Sequence, residues 1–303
     1  MDIKRFTSHL KTSRRDLSPE TIRAYESDLT LFQGFLDARG LRESQMTSKV
    51  VTDYIEQMEN APNSRFGKVG LSEATIARRI AAIRKYLKFR RANSNSRMKD
   101  PTRNLTFRAP DNDTCKAVGD DVIKKLVDGI KHLRDRALVL LFLSSGLRNS
   151  ELQQLSRDTI TVCDRDEGNG GVGGVGTVIG KGSKKRAFFC DAEALDALCD
   201  YLATRKDNSE ALFISERGQR MSKRAIQERV AYWCKHVGIE HLHPHQFRHC
   251  FATRLANVSI DSMVLKELMG HEDLRTTNRY FKLEETTKAR QYFAAMERRR
   301  ERS

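Results

Sequence analysis

Six residues in the second half of the chain have types and spacing suited to attack on a phosphodiester: Arg148, Lys181, His245, Arg248, His271 and Tyr280. A phosphodiester is an anion and repels nucleophiles. Cations must clamp its non-bridging oxygens and neutralise charge as it grows. Arginine, planar and always charged, suits that task best. A nucleophile must lie in line, and an acid must protonate the leaving oxygen. If the arginines suffice, the reaction requires no metal. Arg148 stands in "SSGLRNSEL", just after Gly146 ends an apolar helix, with Glu151 three residues on to orient it. Lys181 stands in "VIGKGSKKR", where glycines on both sides let the chain turn between strands. His245 and Arg248 stand in "HPHQFRH", three apart and so on one helical face. "LMGHEDLRTTNRYF" sets His271 at a helix end and Tyr280 nine residues later, among cations.

Taken singly, each signal has an ordinary explanation: a surface arginine, a turn lysine, a histidine at a helix end, a half-buried tyrosine. Taken together and in this order they favour phosphate chemistry. Zinc is not expected. His241, His243, His245 and His249 lie close in sequence, but Arg248 stands among them and no carboxylate ligand is near. The G-x-G-x-x-G from Gly171 to Gly176 is no dinucleotide fingerprint, because strand-like "TVIGKG" follows where a helix should open. A Walker loop fails too, since Val175 replaces its first glycine and Gly182 its Ser/Thr. The glycine run 168–176 reads instead as a flexible loop in a β-hairpin region.

The elements that must position these groups fall into two sets. In the first hundred residues, "LSPETIRAYESDLTLFQGFL" and "LSEATIARRIAAIRKYLKFRR" each open with a serine cap, Ser18 or Ser72, and an acid in the first turn. "TSKVVTDYIEQME" reads as a helix between them, so this part reads as all-helical. In the second segment Ile76, Ile80, Ile83 and Leu87 recur at helical spacing. The opposite face carries Arg79, Lys85, Lys88 and Arg90, followed by Arg91, and these are the candidate DNA-binding residues. Polar, proline-bearing sequence then gives a linker at 109–118 after a domain of residues 1–108. From 119 to 303 the chain is mixed. "TITVC", "GTVIG" and "KRAFFC" read as strands of a small antiparallel sheet. "DDVIKKLVDGI", "LRDRALVLLFLSSG", "NSELQQL", "DAEALDALCDYLATR", "SKRAIQERVAYWCKHVG", "QFRHCFATRLANV", "DSMVLKELMG" and a C-terminal segment at 284–299 read as helices. The fold class is mainly α with a small sheet in the second domain.

Charge names the partner class. Lys and Arg number 55 against 40 Asp and Glu, a net +15. Between Arg78 and Arg108 the only acid is Asp100. Such a block is the footprint of a polyanion, and nucleic acid is favoured over a membrane surface. No apolar run approaches the roughly 20 residues that span a bilayer. Six scattered cysteines without a CxxC pair suit reduced thiols in a cytoplasmic protein.

"SSGLRNSEL", "VIGKG", "HQFRHCFATRL" and "LMGHEDLRTTNRY" resemble the boxes of the tyrosine recombinases, among them phage integrases and Xer-type enzymes. "LSPETIRAYESDL" resembles the core-binding helices of Xer-type members, so the likeness spans nearly the whole chain. Met269 and Phe247 stand where leucine is usual, both volume-conserving changes. The resemblance implies a two-domain DNA clamp. Arg148 and Arg248 would hold the phosphate, Lys181 protonate the leaving 5′-oxygen, and His245 and His271 tune proton transfer. Glu151 would support them and Tyr280 form a 3′-phosphotyrosine. It further implies no cofactor, a duplex target with inverted repeats, and a homotetramer on two sites exchanging strands through a four-way junction. Accessory proteins are compatible with it. In the C-terminal segment Ala289, Tyr292, Phe293 and Met296 form an apolar stripe, which the resemblance docks onto a neighbouring subunit. Two alternatives remain open: a type IB topoisomerase-like enzyme, and a non-catalytic DNA-binding regulator of the same fold.

Overall fold

The computed structural model describes residues 1–13, 17–63, 68–93, 100–105, 118–163, 173–180, 184–271, 273–278, 280–281 and 296. The chain divides into two compact units, Met1–Thr114 and Cys115–Ser303. The linker expected at 109–118 lies outside the described residues except for Val118. Lys181 and, apart from Met296, the C-terminal segment 284–299 lie outside them too.

The first unit holds α1 (Ile3–Thr12), α2 (Pro19–Asp37), α3 (Ser48–Asn60) and α4 (Glu73–Ala92). Ser18, Thr47 and Ser72 each accept a hydrogen bond from the backbone N–H three residues on, which satisfies donors that a helix start leaves over. Phe6, Phe32, Phe35, Tyr54, Ile80 and Tyr86 form one core. Two features depart from the sequence reading. Helix α1 was not foreseen: it is short, but Asp2 caps it and Phe6 and Leu10 bury its inner face. The unit is also not wholly helical, because Pro62–Asn63 (β1) and Lys68–Val69 (β2) pair as a small antiparallel ribbon.

Helix α4 buries Ile76, Ile80, Ile83 and Leu87 as their spacing suggests, and also Ala82, Tyr86 and Phe89. Its buried face is therefore wider than the isoleucine stripe. That leaves less of the helix for phosphate than was expected.

The second unit holds α5 (Asp120–Gly129), α6 (Leu133–Ser145), α7 (Asn149–Gln154), β3 (Ile160–Cys163), β4 (Gly173–Ile179) and β5 (Lys185–Cys190). Then follow α8 (Ala192–Ala203), α9 (Lys223–His236), α10 (Pro244–Asn257), α11 (Ser262–Met269) and α12 (Leu274–Asn278). Helix α6 is apolar nearly all round because it is covered nearly all round, with α8, α10 and β5 among its neighbours. Among the described residues no helix is long and apolar enough to cross a membrane.

The sheet runs β3-β4-β5, antiparallel, with Gly174 opposite Cys190, Gly176 opposite Phe188 and Val178 opposite Arg186. This corrects the reading of the glycine run as a loop: residues 173–176 are strand. A side chain at Gly174 would strike the Cys190 thiol at 2.7 Å, and one at Gly176 the Phe188 ring at 2.6 Å. The glycines admit close packing there rather than flexibility.

Candidate active site

The site is assembled around the C-terminal end of α11. That helix closes with Gly270 in the left-handed region, φ 59°, and the N–H groups of Gly270 and His271 turn back onto Glu267 and Lys266. This is a Schellman-type cap. It leaves three consecutive carbonyls, and three arginines from three other elements take them. Arg186 on β5 donates to Leu268 O at 2.6 Å, Arg248 on α10 donates to Met269 O, and Arg148 before α7 donates to Gly270 O at 3.0 Å. Cations suit a helix C-terminus, where the peptide dipoles leave partial negative charge.

Glu151 binds two of the three from the other side. Its carboxylate accepts from the Arg148 backbone N–H at 2.8 Å, from Arg148 Nη1 at 2.7 Å and from Arg186 Nη2 at 2.7 Å. The same group caps the start of α7. Burial pushes the Glu151 carboxyl up, but the Arg148 N–H and the Arg186 and Arg148 charges outweigh it and hold the acid below its ordinary value. Arg248 also donates to Gly146 O at 2.6 Å. Gly146, at φ 59°, ends α6 against the Phe251 ring, only 2.3 Å from where a Cβ would sit. No larger residue fits that turn. Burial first, then the Arg148 charge, brings Arg248 down to about 9.

The histidines lie around this cluster. Pro244 opens α10, and Gln246 accepts from the His243 N–H at 2.7 Å, which fixes the first turn carrying His245. His245 is exposed on one side. Packing on the other side, and then the charges of Arg248 and Arg148, lower its affinity for a proton. His271 Nδ1 lies 2.8 Å from Oγ1 of the fully buried Thr277. Tyr280 is half-buried against Phe251, Ala252, Leu265 and Met269, and its Oη lies 2.7 Å from His249 Nδ1. A cleft of about 540 Å³ opens beside these groups, with Arg148, Lys184, Lys185, Arg186, His271 and Thr276 in its wall. Its wall sets Arg148, Lys184, Lys185 and Arg186 against the two acids Glu267 and Asp273, an excess of positive charge that can hold an anion.

Arg148, Glu151, Arg248, His271 and Tyr280 thus come together, with His245 on the same helix as Arg248. Three participants escaped the sequence reading. Thr277 and His249 carry no usable signal in the sequence, since neither spacing nor periodicity marks what they meet, the His271 ring and the Tyr280 hydroxyl. Arg186 had one: on a strand whose Phe188 and Cys190 point inward, the residue two before Phe188 points inward as well.

The candidate DNA-binding residues of the first unit divide. Lys88 and Arg91 are exposed, and Arg91 pairs with Asp100 at 2.9 Å. Lys85 lies over the Tyr25 ring and Arg90 pairs with Glu43 at 2.8 Å. Arg79 turns toward buried Asp28, its Nε 3.8 Å away.

Residues 116–287 match the Phage integrase family, and residues 3–93 match the Phage integrase, N-terminal SAM-like domain. Tyrosine recombinase XerC of Actinobacillus succinogenes is 33% identical over 93% of this chain and 92% of its own. Tyrosine recombinase XerC of Haemophilus influenzae (strain PittEE) is 32% identical over 92% of this chain and 91% of its own. In fold, the chain is similar to the Tn1549 transposon integrase in complex with transposon right end DNA. The TM-score is 0.72 and the identity 20%, over 98% of this chain and 99% of that one.

Proposed function

As the chain belongs to the phage integrase family, the site-specific tyrosine recombinases, we propose that Tyr280 is its nucleophile and that Arg148 and Arg248 clamp the scissile phosphate. Tyr280 Oη attacks phosphorus, the bond to the 5′-oxygen breaks, and that oxygen takes a proton from Lys181. The product is a 3′-phosphotyrosine. The ester conserves the energy of the broken strand, so a 5′-hydroxyl rejoins it without a nucleotide cofactor. His245 and His271 hold the phosphate oxygens, and Glu151 keeps Arg148 in place.

The partner is duplex DNA carrying inverted repeats of roughly 10–13 base pairs, since half-site geometry mirrors protein symmetry. Four copies on two sites exchange strands in pairs through a four-way junction, with the segment 284–299 of each docked on its neighbour. The observation that supports this reading best is the convergence of Arg148, Arg186 and Arg248 on one helix end, with the Tyr280 hydroxyl bonded to α10 one residue beyond Arg248. The test is a nicked suicide substrate. Tyr280→Phe is expected to bind the site with wild-type affinity and to form no covalent adduct. An adduct that persists in this variant removes Tyr280 from the role.

A further inference from the structure

We propose that His249 is the base that takes the hydroxyl proton of Tyr280 when the tyrosine attacks. The inference rests on Tyr280 being the nucleophile and extends it to a residue outside the phosphate clamp. Its ground is contact with the reacting atom: Tyr280 Oη lies 2.7 Å from His249 Nδ1, with ring centroids 5.6 Å apart at 51°. A phenol donates to a ring nitrogen at that distance when the neutral imidazole carries its proton on Nε2. A general base must stand within hydrogen-bond reach of the proton it removes, and His249 does.

The surroundings favour the transfer. Arg248 is the preceding residue and lies close enough to Tyr280 for the two charges to interact, so a phenolate forming there faces a cation. Arg148 and Arg186, joined by Glu151, bring two further guanidinium groups to the same end of α11 as Arg248. His271 has a different engagement, with its Nδ1 against Thr277 Oγ1. The step balances. As the Oη–phosphorus bond forms, the phenolic hydrogen passes to Nδ1, the bond to the 5′-oxygen breaks, and that oxygen takes its proton from the Lys181 ammonium. His249 ends as imidazolium and Lys181 as neutral amine. Rejoining runs both transfers backwards.

The experiment measures single-turnover adduct formation by the full-length protein on a nicked suicide substrate, with His249→Gln as the main variant. Glutamine can hold the hydroxyl through its amide oxygen but cannot take the proton. The variant is expected to bind DNA as the wild type does and to form adduct about 10²-fold more slowly. Replacing Tyr280 in that variant by 3,5-difluorotyrosine, a more acidic phenol, should recover about tenfold, because a nucleophile that ionises by itself depends less on its base. An unchanged rate in His249→Gln overturns the proposal, and so does a loss that fluorination does not relieve, which would mark His249 as a positioning residue only. If His249→Gln melts early or fails to bind DNA, the unsubstituted chain gives the answer. Difluorotyrosine at 280 should then extend cleavage to lower pH, and a pH profile that fluorination does not move overturns the proposal. Tyr280→Phe runs in parallel. Adduct in that variant would refute the nucleophile itself, whereas no adduct there with a wild-type rate in His249→Gln would refute only the base.

Discussion

Each unit of the molecule buries a carboxylate between two arginines, and the two carboxylates behave in opposite ways. Asp28, between Arg78 and Arg79, and Glu151, between Arg148 and Arg186, are equally hidden, with side chains 2% and 3% exposed. Burial is therefore not what separates them. Asp28 is bonded by Arg78, while Arg79 stays 3.8 Å away. Burial raises the Asp28 carboxyl above its ordinary value and the two charges do not bring it back. Glu151 receives three N–H groups at 2.7–2.8 Å and ends below its ordinary value. Equal formal charge nearby gives different results because short, aligned donors stabilise an anion far better than a cation at the edge of contact. Glu151 is thereby fixed as an anion and can serve as the pivot for two arginines. Among the described residues Asp28 has one close donor, Arg78, and no second anchor of that kind.

The largest test of this contrast is to remove each acid. Glu151→Ala leaves Arg148 and Arg186 without their counter-charge and is expected to cost the second unit about 3–5 kcal/mol, read by hydrogen exchange of its core amides. Asp28→Ala should cost the first unit no more than about 2 kcal/mol, because half-exposed Arg78 can turn to water. Equal losses would break the comparison.

A smaller effect follows from pH, with opposite signs. Glu151 has its folded value depressed, so its stabilisation is present above the unfolded value near 4.5 and is lost as pH falls through the folded value. Asp28 has its folded value raised, so its contribution is complete below 3.8 and is lost as pH rises through the folded value. Between pH 7 and pH 4, wild type should therefore gain on Asp28→Asn, while its advantage over Glu151→Gln falls away only below about pH 4.5. Unfolding both pairs across that range checks the two signs.

Salt dependence sharpens the same contrast on α4. Lys88→Ala should flatten the salt slope of DNA binding by about one counterion, and Arg79→Ala, whose charge is turned toward Asp28, should leave it unchanged. A flatter slope in Arg79→Ala would mean that DNA draws the side chain away from Asp28. The smallest expected effect belongs to Tyr54, whose buried hydroxyl faces Arg79 but meets no partner in good hydrogen-bond geometry. Tyr54→Phe should change stability by no more than about 0.5 kcal/mol in a denaturant titration.

Much of this was legible in the sequence, for physical reasons that can be named. Caps, apolar spacing and strand-sized apolar runs give away helices such as α4 and α6 and the three strands of the sheet, since these are local signals. Arg148, Arg248, His271 and Tyr280 stand out because each follows a helix end or occupies a fixed step along one. Arg186 does not, being one of four cations in six residues, and only the inward alternation of β5 separates it from Lys184 and Lys185. The fate of Arg79 was hidden for the converse reason. Three residues after Ile76 and four before Ile83, it stands on the flank of the buried stripe rather than opposite it, and the acid that turns it inward lies on another helix. A bond such as Tyr280 to His249, across 31 residues of chain, leaves no trace in periodicity.

The end of α11 acts as a ruler. Three guanidinium groups are spaced by three successive peptide carbonyls, so their separation is set by the pitch of one helix rather than by the loops that deliver them. This has a consequence for where the chain can change length. One residue inserted between Ser262 and Met269 rotates the last turn by roughly 100° and offers every arginine the wrong oxygen. The turn at Val258 and Ser259, before the helix starts, can lengthen at little more than the entropy of a longer loop. Insertions that survive in related chains are thus expected ahead of Asp261 and not within the eight residues of the helix.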